Sequence, residues 1–166
     1  VKRVLYVFGD KKDMLDPFGI SFLLYEPSYV SLESALSFYG LIPELVPATT
    51  AVSAKTTRTF ENQYGKFLYR HIKLELFFGY TPHEFSGGKY LMAEPEKAIL
   101  DYIYFNCARL ISANDINEWR INIEEFKKII DIVKLKKYLK TYNSKKINSL
   151  IISSFTIFFL LFILIL

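Results

Sequence analysis

Residues Tyr64–Tyr80 read YGKFLYRHIKLELFFGY, and this stretch decides between a catalytic cluster, a nucleic-acid-binding surface and a pair of strands. On a pleated strand successive side chains point to opposite faces. Phe67, Tyr69, His71 and Lys73 would then share one face, and Leu68, Arg70, Ile72 and Leu74 the other. Both faces are mixed, as in a strand that runs between core and surface. Tyr64-Gly65 predicts the turn of a hairpin whose first arm is roughly Arg58–Asn62, because glycine supplies the positive φ that a tight turn needs. Strands are expected over Lys66–Leu74 and around Leu76–Tyr80. Val- and Thr-rich strands within Leu45–Ala54 and Thr56–Asn62 precede them. Ser86-Gly87-Gly88 predicts a turn into a strand at Lys89–Met92.

Helical signals flank these strands. In Ser31–Tyr39 the apolar residues Leu32, Ala35, Leu36 and Tyr39 recur at helical spacing. Ser31 suits the N-cap, and Gly40 sits where a left-handed C-cap is easiest. A second helix is expected from Glu94-Pro95-Glu96 through Lys97–Leu110, since proline at the first helical position loses no hydrogen bond and acids favour the positive end of the dipole. Its apolar face makes it central to the core, with Glu96 and Asp101 expected at the solvent side or as caps. Ile123–Ile130 and Val133–Tyr142 predict further helices, broken at Asn143-Ser144. Gly9–Tyr25 reads as a connection with at most short structure. The pattern is an α+β fold of short, mostly antiparallel strands packed with several helices.

The chain has 166 residues, 51% of them hydrophobic, enough for one domain with a sizeable core. Its net charge of +4 permits an anionic partner without requiring one. The charge is unevenly placed: between Lys134 and Lys146 there are six lysines and no acid. The single cysteine, Cys107, excludes an internal disulfide, fits a reducing compartment and is expected as a buried, inert thiol. Val1 opens directly on the strand-like KRVLYVF of Lys2–Phe8, which predicts a chain that starts within a longer gene product. Ser149–Leu166 holds eighteen residues without a charge. As a helix it would cover about 27 Å of a hydrocarbon layer about 30 Å thick, so a tail anchor is physically open.

Chemical motifs are few. His71, His83 and Cys107 show none of the usual zinc-ligand spacings, so neither metal nor other cofactor is expected. Phosphate-binding glycine loops and nucleophile elbows are absent from the sequence. Ser86-Gly87-Gly88-Lys89 could form an anion-binding nest, but such a run is far more often a turn. Tyr69, Arg70 and His71 could supply a base and an anion clamp in an enzyme, but a strand crossing between core and surface is the favoured account of them.

Taken together, PSYVSLESALSFYGLIPE (Pro27–Glu44), RTFENQYGKFLYRHIKLELFFGY (Arg58–Tyr80) and AEPEKAILDYIYF (Ala93–Phe105) resemble the AbiEi family of antitoxins from type IV toxin–antitoxin systems. The resemblance covers roughly Lys2–Ile147. It implies a transcriptional regulator with an N-terminal winged-helix DNA-binding domain and a C-terminal antitoxin domain, acting against a nucleotidyltransferase-like toxin in phage defence. It implies no enzymatic activity of its own. On this basis residues 1–9 are the remnant of the winged helix, residues 10–147 the antitoxin domain and residues 148–166 an apolar tail. Lys2 and Arg3, on the expected wing strand, are the surviving candidates for contact with operator DNA. Tyr69, Arg70, His71 and Lys73 are the surface candidates carried by the family motif. No stable complex with the toxin is implied, and the expected location is the cytoplasm. Two alternatives stand beside this reading: a membrane-associated protein anchored through Ser149–Leu166 with its lysines on the cytoplasmic side, and a small enzyme using His71.

Overall fold

The computed structural model describes residues 16–43, 46–86, 88–107 and 121–149. The expected wing strand with Lys2 and Arg3 lies outside the described residues, as does the apolar tail after Ser149. The elements run α1 (Pro17–Leu24), β1 (Ser28–Val30), α2 (Leu32–Phe38), β2 (Thr49–Ser53), β3 (Arg58–Asn62) and β4 (Gly65–His71). A 3-10 turn at Leu74–Leu76 leads to β5 (Tyr80–Phe85), β6 (Gly88–Ala93) and α3 (Pro95–Asn106). Two further helices, α4 (Ile123–Ile129) and α5 (Ile132–Tyr142), follow, and residues 145–149 are again helical. This is an α+β fold.

The six strands form one sheet in the order β3-β4-β2-β1-β6-β5. Hairpins β3–β4 and β5–β6 make its two ends, and β1 pairs antiparallel with β2 at the centre. Three of the five pairings are antiparallel, as expected, and the β1–β6 and β2–β4 pairings are parallel, which makes the sheet mixed. The reason is topological: β4 lies beside β2 with β3 on its outer side, and β6 lies beside β1, far from it in sequence.

Register fixes what each face carries. Val30 lies beside Ala51 and Ala51 beside Tyr69, and α1 covers this face, with Ile20 packed on Ala51, Phe67 and Tyr69. Tyr29, Val52 and Arg70 share the opposite face, where Tyr29 hydrogen-bonds Asp101 of α3. The sheet is therefore sandwiched, with α1 on one side and α2, α3 and α5 contributing to the larger core on the other.

Several local expectations correspond to the structure, and others are corrected by it. The β3–β4 hairpin has the expected first arm, but its turn falls on Gln63-Tyr64, one residue earlier than expected: Asn62 pairs with Gly65, which opens β4 at φ +131°. Gly40 is left-handed at φ +67°, as a C-cap glycine should be, and Asn143 closes α5 at φ 42°. The strand expected around Leu76–Tyr80 begins only at Tyr80, because the chain first makes the 3-10 turn that buries Leu76. Gly9–Tyr25 contains helix α1, started by an Asp16 side chain that accepts from Phe18 N at 3.1 Å, with Pro17 at its first position. Cys107 is half-buried at the C-terminal end of α3 and not enclosed; residues 108–110, the rest of the expected helix, lie outside the described residues.

Ser31 does not cap α2. Its hydroxyl donates instead to Asp101 Oδ2 at 2.9 Å, and the chain enters α2 through Leu32 at φ 58°. A free first-turn amide still needs an acceptor. Ser34 N finds it in Thr50 Oγ1 of β2, at 3.0 Å, so the cap comes from a neighbouring strand. The Ser34 hydroxyl in return accepts from Thr50 N at 2.8 Å, which locks α2 to the sheet.

Candidate functional site

The residues of the tyrosine-arginine-histidine strand do not converge. Tyr69 is buried under α1, where its hydroxyl donates to Ser21 O at 2.6 Å and accepts from Ser21 Oγ at 3.1 Å. Arg70 points to the opposite face, with its guanidinium carbon 4.7 Å from the centre of the Phe105 ring. His71 is exposed, and its Nδ1 lies 2.8 Å from Lys55 O, which occupies the ring nitrogen with a backbone carbonyl. Lys73 is exposed beyond the strand, 3.9 Å from Glu75. Strand alternation separates neighbours in sequence onto opposite faces, and no shared substrate position results. Among the described residues, no group of three or more His, Cys, Asp or Glu side chains could hold a metal ion.

The densest polar constellation is elsewhere, on α3. Lys97 and Asp101, one helical turn apart, are both fully buried and form an ion pair between Lys97 Nζ and Asp101 Oδ1. The Tyr142 hydroxyl of α5 accepts from Lys97 Nζ at 2.6 Å and donates to Asp101 Oδ1 at 2.6 Å. On the other carboxylate oxygen, the hydroxyls of Tyr29 (β1) and Ser31 each donate at 2.9 Å. Four donors thus surround one carboxylate. The ammonium is enclosed by the rings of Phe78, Tyr142 and Tyr29, at 5.1, 5.0 and 5.5 Å from their centres. Taking two charges out of water costs several kcal/mol per ion, and only such complete hydrogen bonding offsets it.

Glu96 and Asp101, expected at the solvent side, are thus corrected: Asp101 is fully enclosed and Glu96 is 2% exposed. Glu96 Oε1 accepts from Asp131 N at 2.8 Å, fastening the start of α5 to α3. Lys134 Nζ bridges Glu94 Oε1 at 2.7 Å and Glu96 Oε2 at 3.6 Å, and the Tyr138 hydroxyl donates to Glu94 Oε2. Burial by itself would raise the Glu94 pKa; the Lys134 and Tyr138 hydrogen bonds outweigh it and hold the carboxyl below its ordinary value. A signal for the buried pair was present in the sequence, namely Lys97 and Asp101 four apart on a helix otherwise apolar on most sides. What it lacked was the partners, which lie 41 to 72 residues away from Asp101 in the chain.

These contacts make the tyrosines reluctant acids. Burial pushes Tyr39 and Tyr69 up to about 12. Burial first, and then the charge of Asp101, raises Tyr29 and Tyr142 well above the ordinary value. Because the folded state holds these protons more tightly, their stabilising contribution is complete below the unfolded pKa near 10 and is lost as pH rises from there towards 12. Phenolate absorbance of the buried tyrosines is therefore expected to develop together with loss of the far-ultraviolet dichroism. Ionisation of all twelve tyrosines near pH 10 with the fold intact would contradict this.

Chemically, the α3 constellation is closed to solvent with its acceptors engaged. It joins β1, α2, α3 and α5, and offers no open position to a substrate. Comparison with protein-family models, with curated proteins and with solved structures returned no match to this chain.

Proposed function

We propose that this chain is the antitoxin side of a type IV toxin–antitoxin pair, one that counteracts a nucleotidyltransferase-like toxin without catalysing a reaction itself. The reading rests on the ordered resemblance of Pro27–Glu44, Arg58–Tyr80 and Ala93–Phe105 to AbiEi antitoxins. One observation supports it above others: these three segments meet at the buried Lys97–Asp101 pair. The first supplies Tyr29 and Ser31, the second the Phe78 ring, and the third the ion pair itself. The motif residues are thus those that hold one fold together, which suits a regulatory domain recognised by its scaffold. In this proposal the protein acts in the cytoplasm. Sequence-selective autorepression would be the work of a winged helix, with Lys2 and Arg3 as candidates for phosphate contacts whose strength falls steeply with salt.

The test is rescue. The chain supplied in trans should relieve growth arrest caused by the nucleotidyltransferase encoded beside it, and failure of a well-folded, expressed chain to do so sinks the proposal. His71→Ala should rescue as well as the parent and change stability by no more than about 0.5 kcal/mol, as expected for an exposed strand position. Loss of rescue in a folded His71→Ala protein would instead favour a reaction or an essential contact at that strand.

A further inference from the structure

The six lysines between Lys134 and Lys146 are divided by the fold. Helix α5 buries Leu135 and Tyr142 and half-buries Tyr138 and Leu139, and Lys134 on its inner edge is spent on Glu94 and Glu96. Lys136, Lys137 and Lys140 stand exposed on the outer side, and Lys145 and Lys146 stand exposed after the left-handed turn at Asn143. None of these five makes an ion pair with another described residue. Their charge of +5 exceeds the chain's whole formal net charge of +4, so the other residues sum to −1 (4 − 5) and this stretch concentrates positive charge on one surface.

On this face and on the turn beside the helix, the fold leaves apolar side chains in water. Val133 falls on the stripe of Lys136, Lys137 and Lys140 at helical spacing and is 78% exposed. Leu74, equally exposed, sits on the 3-10 turn that packs beside α5. Aliphatic tips next to lysines gain nothing on a phosphodiester backbone, where the contacts are ionic. In a lipid headgroup layer they gain burial while the ammonium groups meet anionic lipid. Beyond Ser149 the sequence continues without a charge to Leu166, which is the arrangement of a basic cluster adjoining an apolar segment.

We propose that the outer face of α5, with Lys145 and Lys146, is a docking surface for an anionic phospholipid bilayer. Lysines hold the headgroups, and Val133 and Leu74 enter the interface. This is independent of the antitoxin reading, since it concerns where the protein sits and not what it opposes.

The experiment measures binding of the full chain to vesicles of phosphatidylcholine alone and of phosphatidylcholine with phosphatidylserine. Each lysine near an anionic surface is worth about a fivefold change in partitioning, so the serine-lipid vesicles should be preferred by on the order of 100-fold or more at low salt. Combining Lys136→Gln, Lys137→Gln and Lys140→Gln should remove most of that preference while leaving the melting midpoint unchanged, and the corresponding arginine variant should keep it. Equal binding to both vesicles, or a preference that survives the glutamine variant, overturns the proposal in favour of an apolar tail acting alone. Displacement from phosphatidylserine vesicles by stoichiometric duplex DNA or RNA, through the same lysines, overturns it in favour of a nucleic-acid surface.

Discussion

Lys97→Met should destabilise the protein by about 3–5 kcal/mol, because it strands the Asp101 carboxylate without its counter-ion in a fully buried site. Methionine matches the length of the lysine stem and fills most of its volume, so the loss is electrostatic before it is steric. Asp101→Asn should cost a similar amount. It leaves the ammonium unpaired inside three aromatic rings, and its amide hydrogens oppose groups that already donate. The double variant is the sharper measurement. With both charges gone, the combined loss should fall short of the sum of the single losses by at least about 1 kcal/mol, as expected for residues in one network. Urea unfolding of the four proteins gives the comparison; additive losses would mean that the pair is not coupled.

Gly79→Val should cost about 3 kcal/mol, from two sources that act together. Gly79 is left-handed at φ +72°, where a β-branched side chain is strained by about 1–2 kcal/mol. A β-carbon there would also stand 3.0 Å from Tyr138 Cε2 and 3.2 Å from Lys97 Cγ. Overpacking of that kind typically adds about 1–3 kcal/mol. Gly40 separates the two contributions, since it has nearly the same φ of +67° while its nearest would-be contact is Glu125 Cγ at 3.7 Å. Gly40→Val should therefore lose only the conformational part, about 1–2 kcal/mol. Equal thermal shifts for the two variants would show that Tyr138 and Lys97 give way freely.

The consequence of the first prediction reaches the function. Tyr29, Ser31 and Tyr142 are recruited to Asp101 from β1, the start of α2 and the end of α5, so loss of the pair removes the one buried carboxylate on which these elements converge. Under the proposed antitoxin function, rescue by such a variant should fall with stability, and should return at a lower temperature where the fold is populated. A folded Lys97→Met protein without rescue would instead assign the pair a role beyond the scaffold.

Much of the local architecture could be read from the residues. Glycine at 40 and 65, proline at 95 and the Asn143-Ser144 break act through backbone conformations available to a few residues on either side. Their outcomes therefore needed no knowledge of the rest of the chain. Helix α1 had such a signal too, in Asp16-Pro17. The three-residue strand β1 had none, since so short a run shows no period and exists because β2 and β6 lie on either side of it. The candidate site divides in the same way. Tyr69, Arg70, His71 and Lys73 invite grouping by adjacency, yet alternation and the strand's end disperse them to separate surroundings. Asp101 reads as a solvated or capping acid and becomes, with Lys97, a fully buried ion pair. Whether a charged side chain is solvated depends on what is packed over it. For Asp101 that cover comes from Tyr29 and Tyr142, 72 and 41 residues away, which approach it only once the sheet and α5 are in place.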